Sequence, residues 1–197
     1  MKQHSTSTSM NKIYQREHFV QFYQDEELLL NNLKSFIGGG LVGGEATLVI
    51  ATPEHCQSLE DLLVEEGMSL ALGQQVILMD AQDTLAKFMK DGLPNKELFR
   101  KVISKSLEQS TSGGRGVRAF GEMVALLWAQ GNQAGAILLE QLWNEITREY
   151  SLTLFCAYPM HHFADNGHSV AMRELSLLHS SAIAPSPTPS LAQALEA

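Results

Sequence analysis

The chain has 197 residues, 44% of them hydrophobic, and a formal net charge of -8 at pH 7. These values predict a single globular domain with a sizeable core. An acidic chain without a basic block argues against nucleic acid or an anionic membrane as partner. Cys56 and Cys156 are too few for a disulfide framework and predict reduced thiols in a cytoplasmic protein, whatever their role. Neither a secretory signal nor a membrane-spanning run is predicted.

The first elements alternate between strand and helix. Residues 1–15 are polar and Ser/Thr-rich, which predicts a disordered leader. The aromatic segment 18–23 predicts a strand, and Asp25 then predicts the N-cap of a helix. We expect the glycines at 38–40 and 43–44 to end that helix. Its apolar positions are Leu29, Leu33, Phe36 and Ile37.

The middle of the chain repeats this alternation. The continuous apolar run 46–51 is typical of a strand covered on both faces, and Thr52-Pro53 then favours a helix start. Residues 75–79 predict a third strand ending at Asp80. The next segments predict two helices, the second capped by Asn95. Their apolar positions are Leu85, Phe88 and Met89 in the first, and Leu98, Phe99, Val102 and Ile103 in the second.

The last third supplies two further strands. Residues 117–121 predict a strand with Glu122 at its carboxyl end, followed by an apolar segment and a long amphipathic helix. Residues 152–157 predict the fifth strand, followed by a long loop over 158–168. A helix is expected over roughly 169–180, and the Pro/Ser-rich residues 181–197 predict a mobile tail.

Repeated strand–helix alternation favours parallel pairing and right-handed crossovers. The predicted fold class is therefore α/β. We expect a three-layer sandwich with a mainly parallel central sheet of about five or more strands. The folded domain is expected over residues 16–180.

Ligands of open α/β sheets bind beyond the carboxyl ends of the strands, and this rule selects candidate residues. Thr52 and Asp80 are equally accounted for as helix caps, and His55 as a packed core histidine. The candidates at or just after the strand ends are Tyr23, Thr52, His55, Asp80, Glu122 and Tyr158.

Glu122 is the hardest of these to assign, because it lies between an apolar strand and an apolar segment. A buried carboxylate needs a partner. Arg118 and Arg115 are the nearest cations in sequence. A structural pair with Arg118 and a ligand-binding carboxylate both remain open.

Other chemistries find little support in the sequence. The glycines at 38–44 are not followed by GK[ST] and fall at a helix end before a strand, the reverse of a phosphate loop. His161, His162 and His168, with His179, are weak candidates for holding a metal ion, because their spacing matches no standard site. Cys156 could act as a nucleophile beside a histidine, although a buried strand cysteine is usually inert. No metal or other cofactor is predicted.

Five segments, in this order and spacing, together resemble the MEDS domain, the methanogen/methylotroph sensory domain of the dichloromethane-responsive regulator type. The resemblance covers roughly residues 16–180. The segments are HFVQFY at 18–23, FIGGGLVGGEATLVIATPEH at 36–55, LMDAQDTLAKFMKDGLPN at 78–95, GRGVRAFGEMVALLWAQGNQAGAILLEQLWNE at 114–145 and FCAYPM at 155–160.

The resemblance implies a RecA-like sheet, similar to that of clock ATPases, without its Walker A phosphate loop. It also implies a bacterial or archaeal signal-input module for small hydrocarbon-derived molecules, with His18 and His55 taking part in sensing. Nothing in the sequence resembles a halocarbon-specific pocket. Since no kinase or DNA-binding segment is visible, the expected output is a signalling protein acting in trans, such as a histidine kinase or transcription regulator.

The leading hypothesis is therefore a non-catalytic sensory module that binds a small molecule at the strand ends. The loop 158–168 is its expected moving element. Two alternatives stay open. One is an enzyme, either a degenerate nucleotide-binding one or one that depends on Cys156. The other is a pure protein–protein interaction module, for which a homodimer is one arrangement.

Overall fold

The computed structural model describes residues 17–72, 74–110, 116–150, 152–163 and 168–183. The strands are β1 (His18–Tyr23), β2 (Ala46–Ala51), β3 (Val76–Asp80), β4 (Met89–Lys90), β5 (Leu93–Pro94), β6 (Val117–Gly121), β7 (Leu152–Pro159) and β8 (Ser181–Ile183). The helices are α1 (Glu26–Val42), α2 (Pro53–Glu65), α3 (Ala81–Ala86), α4 (Lys96–Ser110), α5 (Met123–Ala129), α6 (Gln133–Glu149) and α7 (His168–Leu178). Short 3₁₀ turns occupy Ser69–Ala71 and Met160–Phe163.

Six strands form one sheet in the order β3-β2-β6-β7-β1-β8, and every pairing in it is parallel. The apolar runs of β2 and β7 lie at interior positions, where both sheet faces are covered. The three-layer α/β sandwich is thus confirmed, and the parallel sheet is consistent with a RecA-like core. Crossover helices of this kind bring the carboxyl ends of the strands to one edge.

The core divides into two clusters, one for each face of the sheet. The first joins α1 and α2 to the sheet through Leu33, Leu59 and Phe155. The second joins α4, α5 and α6 to the opposite face through Phe99, Trp128 and Trp143. Both tryptophans are therefore largely buried, and the alternating residues of each strand serve different layers.

Helix α1 begins where the sequence predicts, because the Asp25 carboxylate accepts hydrogen bonds from the backbone N–H groups of Glu27 and Leu28. Of the glycines predicted to end the helix, those at 38–40 lie within α1, whereas Gly43 caps its end after Val42 and Gly44 follows with positive φ. Gly40 is needed inside the helix, because a Cβ atom there would lie 2.7 Å from Cδ of Arg118.

Two other segments differ from the expectation. The helix predicted through Phe88 and Met89 ends at Ala86, and residues 89–94 form the antiparallel hairpin β4–β5. Its turn contains Asp91 and Gly92, both with positive φ, which stops a helix. Strand β8 pairs with β1, so the fold extends three residues beyond the boundary predicted at residue 180.

Candidate functional site

A pocket of about 370 Å³ lies beyond the carboxyl ends of β1, β2, β6 and β7. Its apolar wall comes from α1, α5 and the end of β7, while carboxylates and histidines supply the polar groups. The lining residues are Tyr23, Glu26, Leu30, Thr52, Glu54, His55, Ser58, Glu122, Ala125, Leu126, Ala129, Pro159 and His162. Position and lining match the usual location of a ligand site in this fold class.

Glu122 is the fixed polar group of this pocket. It follows β6, and its backbone N–H donates to the carbonyl of Ile50 on the neighbouring strand. Its Oε2 accepts a hydrogen bond of 2.9 Å from the backbone N–H of Thr52, and its Oε1 lies 2.6 Å from Nδ1 of His55. Each carboxylate oxygen can accept a second hydrogen bond. Glu122 is therefore positioned by the protein while retaining capacity for a ligand.

His55 is held beside Glu122 by the start of α2. Thr52 caps that helix by accepting from the backbone N–H of His55, and Pro53 occupies its first turn. The hydrogen bond to Glu122 raises the pKa of His55 despite an opposing effect of burial, and the nearby charges of Glu26 and Glu54 raise it further. When protonated, His55 balances the charge of Glu122, and among the described residues no ion pair involves Glu26 or Glu54, the other two carboxylates of the pocket.

Tyr23 closes the pocket beside these groups. Burial raises the pKa of its phenol well above the ordinary range, and the charges of Glu122 and Glu26 act in the same direction. Tyr23 is consequently a neutral hydroxyl that can donate one hydrogen bond and accept others.

The His55–Glu122 pair predicts a pH dependence that can be measured. Because the folded-state pKa of His55 is raised, its contribution to stability is fully present below the ordinary histidine value of about 6.5 and is lost as pH rises through the folded-state pKa. We expect Glu122→Gln to lower the pKa of His55, as followed by NMR titration of its ring protons. Glu54→Gln, which removes a more distant pocket carboxylate, should lower it less. Equal effects of both substitutions would contradict a direct hydrogen bond.

Four of the predicted strand-end residues meet in this pocket, namely Tyr23, Thr52, His55 and Glu122. Asp80 does not line it. Its carboxylate accepts a 2.6 Å hydrogen bond from the backbone N–H of Asp83, so the structure supports the capping interpretation for this residue.

Of the two possibilities left open for Glu122, the structure excludes the pair with Arg118. Arg118 lies near the amino end of β6, and its Nε donates to Oε2 of Glu45 at 2.6 Å. Its Nη1 donates to the carbonyl of Phe36 at 2.7 Å. Arg118 therefore joins α1 to the sheet and lies outside the pocket. Arg115 lies outside the described residues.

Tyr158 and His18 also lie away from the pocket, in a buried cluster between the sheet and α6. Strand β7 continues to Pro159, so the Tyr158 side chain points into the core, where its hydroxyl donates to Oε1 of Glu140 at 2.8 Å. His18, at the start of β1, has its Nε2 3.3 Å from Sγ of Cys156. The expectation that Tyr158 faces the strand-end site is therefore wrong.

The centre of this cluster is Glu140, whose side chain is fully buried. Burial raises its pKa, but the charges of His179 and His18 outweigh that effect and hold it well below the usual carboxyl range. Burial also raises the pKa of the Cys156 thiol, and Glu140 raises it further, which is the opposite of what a nucleophile requires. Glu140 was missed by the strand-end rule. Its detectable signal was a carboxylate on the apolar stripe of α6, next to Leu139 and one turn before Trp143.

The three histidines considered as weak metal ligands are His161, His162 and His168. His162 lines the pocket, where burial and the charge of His161 lower its pKa, and the two rings lie 4.2 Å apart. The side chain of His168 lies outside the described residues. Within the described part of the chain, neither His161 nor His162 joins a set of side chains spaced to hold a metal ion. Nor does any described helix have the length and apolar character needed to cross a membrane.

Fold and pocket together define an α/β domain in which a parallel sheet presents a strand-end pocket and the sequence has no Walker A loop. The family model described as "MEthanogen/methylotroph, DcmR Sensory domain" (MEDS) matches residues 17–179. The chain belongs to the MEDS family, which points to a role in signal sensing.

Comparison with solved structures supports the fold. The chain is similar to a Pyrococcus horikoshii OT3 protein from a structural study, with a TM-score of 0.55 and 11% sequence identity over 91% of this chain and 87% of that one. At this identity the likeness shows the fold alone. No curated protein sequence gives a significant match to the chain.

Proposed function

We propose that this protein senses a small, mainly apolar molecule carrying a hydrogen-bond donor, such as a hydrocarbon-derived alcohol or amine. The observation that carries the proposal is the strand-end pocket, in which Glu122 is oriented by His55 and the backbone of Thr52. Its volume of about 370 Å³ is at the lower end of the range for small-molecule sites.

The lining supports this class of ligand. Leu30, Leu126 and Pro159 offer apolar contacts, while Glu26 and Glu54 place further carboxylates at the same pocket. Carboxylates accept hydrogen bonds and favour cations, so an amine or hydroxyl group is a better match than an anion. The alkyl part of such a ligand would contact the apolar wall.

Transmission of the signal follows from where the pocket groups lie in the chain. Helix α5 begins directly after Glu122, and the 3₁₀ turn Met160–Phe163 carries His162 into the pocket. A ligand that binds one arrangement of these segments more tightly shifts the population toward it. The proposed receiver is a signalling protein in trans, which would read the changed surface.

The non-catalytic character is part of the proposal. A nucleotide-dependent enzyme would need the lysine and hydroxyl that follow a Walker A loop, and the sequence has no GK[ST]. A cysteine-dependent enzyme would need an accessible, activated thiol, whereas Cys156 is buried and burial raises its pKa.

A thermal-shift screen of short-chain alcohols, ketones and alkylamines tests the proposal. A ligand at 100 times its Kd stabilises the folded protein by about 2.7 kcal/mol. For a domain of this size, each kcal/mol of stabilisation raises the Tm by about 2–4 °C. We expect at least one amine or alcohol to raise the Tm of the wild-type protein. In Glu122→Gln the affinity should fall about tenfold or more, because a hydrogen bond to a charged group is lost.

Glu97→Gln provides the matched control, since Glu97 is an exposed glutamate in the first turn of α4 and does not line the pocket. Its ligand response should equal that of the wild type. If binders raise the Tm of Glu122→Gln as strongly as that of the wild type, the strand-end pocket is not the sensory site.

A further inference from the structure

We infer that His18, Glu140, Cys156 and His179 form a buried binding site for a single transition-metal ion of the Zn²⁺ type. The site is separate from the strand-end pocket and does not depend on the function proposed for that pocket. Its four side chains come from β1, α6, β7 and the turn after α7, and one ligand atom of each lies within 4.8 Å of all the others.

The spacing of three donor atoms, Nε2 of His18, Sγ of Cys156 and Oε2 of Glu140, fits one face of a coordination tetrahedron, and Nε2 of His179 lies beside the other oxygen of the same carboxylate. Zn–N, Zn–O and Zn–S bonds of the usual lengths give edges of roughly 3.3–3.6 Å between ligand atoms. Nε2 of His18 lies 3.3 Å from Sγ of Cys156 and 3.3 Å from Oε2 of Glu140. The Cys156 Sγ lies 3.6 Å from the same carboxylate oxygen, and Nε2 of His179 lies 3.4 Å from Oε1 of Glu140.

The hydrogen bonds of the two histidines leave their Nε2 atoms facing the centre of the cluster. Nδ1 of His179 lies 2.7 Å from the carbonyl of Leu175, which can only accept, so Nδ1 carries the proton. The amide of Asn144 is oriented by donation from its Nδ2 to the carbonyl of Leu178, which directs its Oδ1 to Nδ1 of His18 at 3.0 Å. This pattern of outer partners is the one that fixes metal-ligating histidines.

A neutral histidine protonated at Nδ1 presents a lone pair at Nε2. Nε2 of His179 is buried and lies 3.4 Å from Oε1 of Glu140. At this distance a lone pair and a carboxylate need positive charge between them. In the metal-free protein a second proton on the imidazole supplies that charge as an ion pair with Glu140. A divalent ion would replace the proton, and with one carboxylate, one thiolate and two neutral imidazoles the charges sum to zero.

The donor set selects the type of ion. Imidazole nitrogen and thiolate sulfur suit Zn²⁺ and related transition metals, whereas Mg²⁺ and Ca²⁺ prefer oxygen alone. A coordinating thiol is deprotonated by the ion. All four positions are filled by side chains, as in a structural site, so the ion would join the α7–β8 turn and α6 to the sheet.

Outer contacts complete the site. Tyr158 donates to Glu140 at 2.8 Å and holds the carboxylate in place. A surface cavity of about 340 Å³, lined by His18, Asn144, Thr147, Arg148 and Ser180, adjoins the cluster at His18.

Cobalt substitution tests the inference with a spectroscopic readout. Chelator-treated protein is titrated with Co²⁺, and thiolate-to-cobalt charge-transfer absorption is recorded, with metal content measured by mass spectrometry after desalting. We expect one ion per chain, tetrahedral cobalt absorption and displacement by Zn²⁺. Cys156→Ala should abolish the charge-transfer band, whereas Cys56→Ala, which removes the other cysteine of the chain, should retain it.

Tyr158→Phe keeps all four ligands and removes only the hydroxyl that orients Glu140, so we expect it to weaken metal affinity about 10–100-fold. Circular dichroism of each metal-free variant establishes that it is folded. If folded wild-type protein binds no Co²⁺ or Zn²⁺, or if the band survives in Cys156→Ala, the inference is overturned. If Cys156→Ala does not fold, the wild type and Cys56→Ala still decide. Absence of the charge-transfer band in the wild type, or its loss in Cys56→Ala, would overturn the proposed metal site.

Discussion

Replacing Phe155 by alanine is expected to lower the free energy of unfolding by about 3–5 kcal/mol. Phe155 is fully buried in the middle of β7, on the face of the sheet that packs against α1. Its ring stacks on Phe19 at 4.7 Å and meets Phe36 and Phe120 edge-on at 5.6 and 5.1 Å. Removing it leaves a cavity that this tightly packed aromatic group cannot fill. Urea unfolding at neutral pH measures the change.

Leu177→Ala is the matched control, because Leu177 lies on α7 with 76% of its surface exposed. We expect its free energy of unfolding to stay within about 0.5 kcal/mol of the wild type. A comparable loss in both variants would contradict the assignment of Phe155 to the central aromatic group.

Glu140→Ala is expected to destabilise the chain by about 3–5 kcal/mol even with a chelator present. Removing one partner of a buried ion pair leaves the others without compensation. His18, His179 and the hydroxyl of Tyr158 all lose the carboxylate that faces them. Urea unfolding in a chelating buffer measures the cost of the protein groups alone, without any contribution from a bound metal.

Gln141→Ala tests whether this cost belongs to the buried cluster. Gln141 follows Glu140 on α6 but faces solvent, so its replacement should change the free energy of unfolding by less than about 0.5 kcal/mol. If Glu140→Ala proved as mild as Gln141→Ala in the chelating buffer, the buried carboxylate would not be the centre of the cluster.

Local patterns predicted most of the fold, because strands and caps leave signals within a few residues. The continuous apolar segments of β2 and β7 and the caps Asp25 and Thr52 were recognisable from sequence alone. The extent of α1 was not, since its passage through Gly40 depends on Arg118, which lies far along the chain on β6. Nor was the β4–β5 hairpin, whose two-residue strands are too short for a periodic signal.

Part of the candidate pocket was predictable, because parallel strands bring their carboxyl ends together at one edge of the sheet. That rule found Tyr23, Thr52, His55 and Glu122. It could not choose the partner of Glu122, because His55 reaches it from another strand–helix unit while Arg118 lies closer in sequence. The cluster around Glu140 escaped for the same reason, since the residues at α6, β1 and β7 meet only through tertiary packing.

The buried cluster around Glu140 and the strand-end pocket both adjoin strand β7. Tyr158 contacts Glu140 on the inner face of β7, and the following residue, Pro159, lines the strand-end pocket. The ring of Tyr158 also lies near Trp128 of α5 and Phe163 of the 3₁₀ turn, the two segments that contribute to the pocket. Packing at the buried cluster therefore bears directly on the segments that we propose respond to ligand.

The most direct test of the proposed sensory site is amide chemical-shift mapping of the protein with the amines and alcohols that raise its Tm. We expect the largest shifts at Thr52, His55, Glu122 and Leu126, which surround the pocket. Shifts concentrated instead along the groove between α1 and α2, where Asp61 lies, would contradict the account. So would the absence of any binder in the panel at millimolar concentration.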